Sequence, residues 1–294
     1  MKLMSTIISE IYSILLCPDD HSDLEIKNDG LICTNCKRKF LINENVIDLR
    51  PKERLEVKTS EVGEIYKTYY KNLTTYGNGG DKIGTFGIIS NSISNGFVKE
   101  TLTHLQKHVS KEMLVCDVGA GSGDYSVELA KKCKIMLHCD LDLNGIRIAQ
   151  QNAKKQKIEN IVFLYCDYFR LPIKNKIIDI ICSIDILERG IEHERKLLLQ
   201  MERITKQKCK ILIDFHSKER KSLTHVENKA LYTYSKNEIK NLIGQFEIKV
   251  MDIIGTGYVP QLIKWSDRQY SVLNPISRIL SFPPARWFVL VLKK

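Results

Sequence analysis

Short apolar runs alternate with amphipathic segments from residue 97 to the end of the chain. Such runs are typical of buried strands, whereas apolar residues that recur every three or four positions are typical of helices. Seven strands are predicted, at residues 113–118, 135–139, 161–166, 177–183, 210–215, 247–254 and 287–293. Helices are predicted at residues 97–109, 125–132, 144–157, 192–205 and 235–242. Strands separated by helices predict an α/β fold with a parallel, doubly wound sheet. The last two strands are expected to form an antiparallel pair around an insertion at 255–286.

The N-terminal part of the chain has a different pattern. Residues 1–16 carry apolar side chains at helical spacing, which predicts an amphipathic helix. Two short strands, at 24–27 and 31–33, flank an Asn-Asp-Gly sequence, which is a hairpin signal. The run at 46–51 predicts a strand that closes this small unit. We therefore expect an N-terminal unit at 1–51, a glycine-rich linker at 52–96 and a main domain at 97–294.

Composition limits the classes of function only broadly. The chain has 294 residues, 43% of them apolar, a net charge of +10 and a pI near 9.0. This charge permits attraction to nucleic acid or to an anionic membrane, but a bias towards Lys, Ile and Asn explains it equally well. No run approaches the ~18 apolar residues of a membrane span. No secretory signal is evident at the N-terminus. Five of the nine cysteines are in or beside predicted strands, which predicts reduced thiols in a cytoplasmic protein.

The most informative stretch is VCDVGAGSGDYS at residues 115–126. Gly119, Gly121 and Gly123 stand at alternate positions between a predicted strand and a predicted helix, so that a ligand can approach bare backbone. The third glycine comes one residue too early for the dinucleotide-binding pattern. Asp117, which precedes the loop, would repel a pyrophosphate but not a cationic cofactor. A glycine turn that only allows close packing of strand and helix is the alternative.

This loop resembles motif I of the class I S-adenosylmethionine-dependent methyltransferases, and the seven predicted strands resemble the fold of that family. The resemblance implies that the loop and Asp117 bind S-adenosylmethionine. It also implies that Asp140, with Leu141 beside it, binds the ribose, Asp142 being the less favoured substitute. Asp167 is then expected to bind the adenine amino group, with a backbone contact from Tyr168. Each aspartate taken alone could instead be a turn former or a helix N-cap.

The fourth strand ends in SIDILE at residues 183–188, which resembles motif IV of the same family. Ile184 is accordingly expected at the cofactor, and Arg189 stands where the family usually has a histidine. A methyl group on a sulfonium is already activated, so that alignment of the acceptor can be sufficient without a base. If a base is used, His216 at the end of the fifth strand is the first candidate, because histidine titrates near neutral pH. Asp185 and His193 are weaker candidates.

The N-terminal unit contains a possible zinc site. CPDDH at residues 17–21 is followed by CTNC at residues 33–36, and this spacing suits a tetrahedral zinc ion. The expected ligands are Cys17, His21, Cys33 and Cys36. The segment resembles the zinc-ribbon or Trm112-like modules that precede some bacterial methyltransferases, except that Asp20 stands where these usually have a second cysteine. A degenerate ribbon without zinc is the alternative.

Three functions remain open from the sequence. The first is methyl transfer to a small molecule, for which the acidic motif IV and the aromatic insertion at 255–286 argue. The segment 52–96 would then help to cover the cofactor, with an ordinary surface loop as the equally favoured alternative. The second is methylation of RNA, which the basic charge and the Lys-Arg-Lys run at 37–39 suit. The third, less favoured, is a cofactor-binding scaffold for a partner protein.

Overall fold

The structure is a computed structural model that describes most of the chain. Its described residues are 10–27, 30–43, 45–52, 93–187, 189–218, 232–256, 275 and 287–294. Most of the segment 52–96, which was expected to cover the cofactor, lies outside them, as do most of the insertion at 255–286, the first nine residues and Glu188. Among the described helices, none is long and apolar enough to cross a membrane.

Eleven strands are described along the chain. They are β1 Leu24–Lys27, β2 Gly30–Cys33, β3 Lys39–Asn43, β4 Val46–Leu49, β5 Leu114–Val118, β6 Ile135–Asp140, β7 Ile161–Cys166, β8 Ile178–Leu187, β9 Thr205–His216, β10 Lys249–Thr256 and β11 Trp287–Lys293. The helices are α1 Ile93–Gln106, α2 Ser126–Ala130, α3 Leu143–Lys155, α4 Ile191–Ile204 and α5 Lys236–Ile243, with one 3-10 turn at Tyr168–Arg170.

The strands form one sheet in the order β1-β2-β3-β4-β7-β6-β5-β8-β9-β11-β10. Strands β5 to β9 pair in parallel, and β11 lies antiparallel between β9 and β10. This arrangement confirms the predicted α/β fold with its antiparallel last strand. Because the parallel strands are covered by helices on both faces, their apolar runs are continuous rather than alternating.

Alternate residues of the central strands belong to different apolar clusters. On β5, Cys116 and Val118 belong to one cluster, whereas Val115 belongs to the other. This period of two places one cluster on each face of the sheet. The first cluster also contains Ile11 and Phe40 from the N-terminal unit, so that this unit and the main domain bury a common core.

The N-terminal unit joins the main sheet through β4. This strand pairs with β3 over only two residue pairs, but it pairs in parallel with β7 over four, from Val46–Phe163 to Leu49–Cys166. The run at 46–51 was expected only to close its own small unit, but its strand β4 also pairs with the main sheet. It connects the unit to the main domain through backbone hydrogen bonds.

Candidate functional site

The glycine loop after β5 adopts a left-handed backbone at each of its three glycines. Gly119, Gly121 and Gly123 have φ of +73°, +53° and +80°, a region that side chains with a Cβ disfavour. An added Cβ at Gly119 would lie 2.4 Å from Ile186 Cδ1, and one at Gly123 would lie 2.7 Å from Ala149 Cβ. Glycine is thus needed here for conformation and for space.

Asp140 ties this loop to the end of β6. Its two carboxylate oxygens accept hydrogen bonds from the backbone N–H groups of Gly121 and Asp142, both at 2.7 Å. Burial raises the pKa of Asp140 to about 6, although these hydrogen bonds oppose the rise. Asp142 itself caps α3 by accepting from the Asn144 backbone N–H at 2.8 Å. The two aspartates therefore differ in role, and Leu141 lies half-buried between them.

Asp117 is almost completely buried below the glycine loop, with 2% of its surface exposed. Burial raises its pKa to about 8, with further contributions from the carboxylates of Asp140 and Asp124, whereas hydrogen bonding to Ser126 opposes the rise. Its Oδ2 atom has no hydrogen-bond partner within the described part of the chain. This atom is therefore suited to meet a donor or a cation that a ligand supplies.

Asp167 and Tyr168 follow β7 directly. The Oδ1 atom of Asp167 accepts from the Phe169 backbone N–H at 2.9 Å and so caps the 3-10 turn. The Tyr168 hydroxyl accepts from Arg189 Nη1 at 2.8 Å and lies 3.1 Å from His193 Nε2. Burial lowers the pKa of His193 to about 3, and the charge of Arg189 adds to this shift. His193 is therefore a neutral, buried partner of Tyr168 and not a free base.

Strand β8 is irregular near its end, in the segment from residue 183 that resembles motif IV. Its pairing with β9 shifts in register between Ser183 and Leu187, and Asp185 has a left-handed φ of +60°. The Asp185 backbone N–H donates to Asp214 Oδ1 at 2.8 Å, which holds this bulge in place. Bulges of this kind redirect side chains, and strained non-glycine residues occur often at functional sites.

The bulge brings the two expected catalytic candidates together. Asp185 Oδ1 lies 3.8 Å from Nε2 of His216 at the end of β9, and both side chains are 16% exposed. Ile184, expected beside the cofactor, is buried next to Asp185. No role was predicted for Asp214 from the sequence, although it precedes His216 by two residues and so shares a strand face with it.

The N-terminal unit contains a cluster of four possible metal ligands. Cys17, Asp20, Cys33 and Cys36 have ligand atoms that all lie within 4.8 Å of one another. His21, which the sequence suggested as the fourth ligand, is not in this group. The reason is the turn at residues 18–20, which carries the Asp20 carboxylate to 3.4 Å from Cys33 Sγ, while His21 is exposed and has a left-handed φ of +58°.

The distances in this cluster fit a tetrahedral zinc ion. Cys17 Sγ and Cys36 Sγ are 3.7 Å apart. Two thiolates bound to zinc at about 2.3 Å would lie roughly 3.8 Å apart, and a thiolate and a carboxylate oxygen roughly 3.5 Å apart. The backbone N–H groups of Asn35 and Cys36 donate to Cys33 Sγ at 3.4 and 3.3 Å. These donors and the Asn35 side chain, which donates to Asp20 Oδ2 at 3.0 Å, orient the ligands.

Comparison with known families matches two parts of the chain. Residues 109–273 match the methyltransferase domain family, and residues 9–45 match the Trm112p-like protein family.

Two curated relatives match over short segments. A cobalt-precorrin-6B C(15)-methyltransferase (decarboxylating) of Methanocaldococcus jannaschii is 40% identical over 53 residues, which are 18% of this chain and 29% of the relative. A release factor glutamine methyltransferase of Dictyoglomus turgidum is 31% identical over 67 residues, 22% of this chain and 24% of the relative. The matches thus span less than a third of either relative.

Solved structures share the fold at low sequence identity. A chain from the complex between the Haloferax volcanii Trm112 methyltransferase activator and a methyltransferase has a TM-score of 0.58 and 13% identity, covering 80% of this chain and 97% of that one. The magnesium protoporphyrin IX methyltransferase of Synechocystis PCC 6803, with bound S-adenosylhomocysteine, has a TM-score of 0.54 and 15% identity, covering 80% and 95%. At these identities the likeness concerns the fold alone.

Proposed function

The chain belongs to the methyltransferase domain family, and from this premise we propose that it transfers a methyl group from S-adenosylmethionine to a small-molecule acceptor. One observation carries the proposal. Asp117, Asp140 and Asp167 lie at or just after the carboxyl ends of β5, β6 and β7, which are neighbours in the sheet. Ligands of open α/β sheets bind at this edge, next to the point where the strand order reverses.

The three aspartates and the glycine loop suit three parts of the cofactor. We assign Asp117 and the loop to the amino-acid end, because the buried Oδ2 atom of Asp117 would meet the ammonium group. We assign Asp140 to the ribose hydroxyls, with Leu141 beside them. Asp167 and the Tyr168 backbone are assigned to the adenine and Ile184 to the wall of the site. When bound, the cofactor supplies a methyl group that is already activated for displacement.

His216 is our candidate for removing a proton from the acceptor. The proton would pass from the accepting oxygen or nitrogen to Nε2 of His216, and the nearby Asp185 carboxylate would stabilise the resulting imidazolium. The separation of 3.8 Å between the two side chains suits such an electrostatic contact. Alignment of the acceptor can alone contribute roughly 7–11 kcal/mol to lowering a barrier, so that a base adds to catalysis without being its main source.

Calorimetric titration with S-adenosylhomocysteine tests the assignment. We expect Asp140→Ala to weaken binding about 100-fold, because two hydrogen bonds to a charged group contribute ~1.5 kcal/mol or more each. Asp142→Asn is the matched control, since asparagine also caps helices and this variant should bind normally. Thermal unfolding of each variant separates a lost contact from a lost fold. Unchanged binding by Asp140→Ala would remove Asp140 from its role, whereas absence of heat with the wild-type protein would reject methyl transfer itself.

RNA as the acceptor is the second candidate, and the basic residues at 37–39 were the reason to consider it. Arg38, however, forms a salt bridge with Asp19 at 2.8 Å and lies over the Phe40 ring. Lys37 donates to the Thr34 carbonyl at 2.5 Å. Because this run is partly engaged in local structure, we favour the small-molecule acceptor. Binding to bulk RNA that weakens steeply between low and moderate salt would reverse this preference.

We further propose a structural zinc ion in the N-terminal unit. Cys17, Cys33, Cys36 and Asp20 would hold it, and it would stabilise a unit whose own core is small. The sulfur–sulfur and sulfur–oxygen separations described above support this ligand set over the one with His21.

A further inference from the structure

Arg189 is a half-buried arginine at the edge of the candidate site, between the end of β8 and the start of α4. Its Nη1 atom donates to the Tyr168 hydroxyl, whereas its Nε atom is buried and has no hydrogen-bond partner in the described chain. Among the residues that the structure describes, it forms no ion pair with any carboxylate. A guanidinium group has five N–H donors, and the described part of the structure shows a side-chain partner at Nη1 alone.

The neighbouring acid does not neutralise Arg189. The Oε1 atom of Glu194 accepts from the backbone N–H groups of Arg189 and Gly190, at 2.9 and 3.1 Å, and so caps the start of α4. Burial raises the pKa of Glu194, whereas these backbone hydrogen bonds oppose the rise. His193 stays uncharged at neutral pH because burial and Arg189 itself lower its pKa. Within the part of the chain that the structure describes, Arg189 therefore carries a positive charge that no carboxylate meets in an ion pair.

This charge lies next to the residues that we assign to the cofactor. Burial raises the pKa of Tyr168 to about 12; Arg189 opposes the rise, and the carboxylates of Asp140 and Asp167 add to it. Arg189 thus contacts the hydroxyl of the residue that directly follows Asp167, the adenine candidate. The adenosyl half of the cofactor carries no anionic group, so that an anion at Arg189 would belong to another molecule.

Half-burying a guanidinium without a counter-charge costs free energy unless a ligand supplies the charge. Arginine is also the side chain best suited to bind carboxylate or phosphate through paired hydrogen bonds. We propose that Arg189 binds the anionic group, a carboxylate or a phosphate, of the methyl acceptor. The inference rests on the proposed function and narrows its acceptor to small anionic molecules. The ring of Tyr232, which lies against Gly190, offers an aromatic surface beside this position.

The test follows Arg189 directly in protein saturated with S-adenosylhomocysteine. Arginine side chains are labelled with ¹⁵N, and the Nε–H signal of Arg189 is identified by its absence from Arg189→Gln. Sodium acetate and sodium phosphate are added at constant ionic strength against sodium chloride. We expect a saturable shift of this signal with acetate or phosphate and no such shift with chloride. The anion that binds more tightly identifies the acceptor group as carboxylate or phosphate.

Variants supply a second readout, the rise in unfolding temperature that each anion produces over chloride. Arg195→Gln is the matched control, because Arg195 lies on α4 but is exposed and already paired with Glu192. We expect the rise in unfolding temperature in the wild type and in Arg195→Gln, and its loss in Arg189→Gln. Arg189→Lys should show at least a tenfold weaker effect, because lysine keeps the positive charge but cannot donate the paired hydrogen bonds of a guanidinium group. S-adenosylhomocysteine should bind Arg189→Gln within threefold of the wild type.

Three results would overturn the inference. The first is a response of the Arg189 signal that is the same for chloride as for acetate and phosphate. The second is an anion effect that survives unchanged in Arg189→Gln. The third is a loss of S-adenosylhomocysteine affinity of tenfold or more in Arg189→Gln, which would assign Arg189 to the cofactor and leave methyl transfer intact. Failure of the wild type to bind S-adenosylhomocysteine is distinguishable from all three and would reject the proposed function as well.

Discussion

The substitution Asp117→Asn should separate the stability of the free protein from its affinity for the cofactor. Burial raises the pKa of Asp117 to about 8, far above the value of about 3.9 expected in an unfolded chain. Between these two values the native state binds a proton that the unfolded state has released. The stability contributed by this group is therefore lost progressively as the pH rises through this window, and the loss levels off above pH 8.

The size of the effect follows from the same shift. Each rise of one pH unit inside the window lowers the free energy of unfolding by ~1.4 kcal/mol, and this dependence on pH becomes weaker near the upper pKa. The free energy of unfolding of the wild type should therefore fall by about 2 kcal/mol through Asp117 between pH 6 and pH 8. Asparagine carries no charge and should lose none. Urea unfolding of both proteins without cofactor, at pH 6, 7 and 8, measures the difference. Asp23→Asn, at an exposed residue that pairs with Lys174, is the control and should match the wild type throughout.

Cofactor binding should favour the ionised form of Asp117, whereas folding of the cofactor-free protein favours the protonated form. At pH 7 Asp117 is roughly nine-tenths protonated, and the ammonium group of S-adenosylhomocysteine should drive the proton off when it binds. Calorimetry in buffers of different ionisation enthalpy should report release of nearly one proton by the wild type and almost none by Asp117→Asn, which should bind more weakly. A stability difference that does not change with pH, together with binding without proton release, would refute this account of Asp117.

Three further predictions test separate features. Gly119→Ala should lower the free energy of unfolding by ~2–4 kcal/mol, from its positive φ and the 2.4 Å approach to Ile186, and Ile186→Val should restore part of that loss in urea unfolding. Zinc content measured by atomic absorption should fall in Asp20→Asn and stay near one per chain in His21→Asn; the reverse result would return His21 to the ligand set. Ile47→Ala should cost ~2–5 kcal/mol in a single transition for the whole protein, whereas two separate transitions would contradict a common core.

The central sheet could be predicted because its signals are local. Strands β5 to β7 are mainly apolar runs with an acid at or next to their carboxyl ends, and the observed bounds differ from the predicted ones by at most one residue. Strand β8 differs more, since it continues four residues beyond the predicted end at 183, through the bulge that contains Asp185. That bulge depends on the carboxylate of Asp214, a residue 29 positions further along the chain. Periodicity within a short window contains no information about such a contact.

Parts of the candidate site that depend on local sequence could be predicted, whereas parts that depend on turn geometry or on contacts between elements could not. The order of acids after the strands could be read from the sequence, and their meeting at one edge follows from parallel pairing. The spacing of the cysteines indicated a metal site, but the choice between Asp20 and His21 depends on the backbone of a short turn. The sequence showed that Arg189 stands where the methyltransferase family usually has a histidine. Its lack of a counter-charge emerges only when Glu194 is found engaged with the backbone at the start of α4.

The pairing of β4 with β7 gives the N-terminal unit a physical route to the cofactor site. Leu49 is paired with Cys166, the residue immediately before Asp167, so that the end of the unit's last strand lies beside the proposed adenine position. Phe40 and Ile47 belong to the same buried cluster as Leu164, on the strand that leads to it. A zinc ion held by the three cysteines and Asp20 would therefore stabilise more than its own loops. Because backbone pairing and a shared core transmit local disorder, removal of the metal should loosen β7 and weaken cofactor binding without any zinc ligand touching the cofactor.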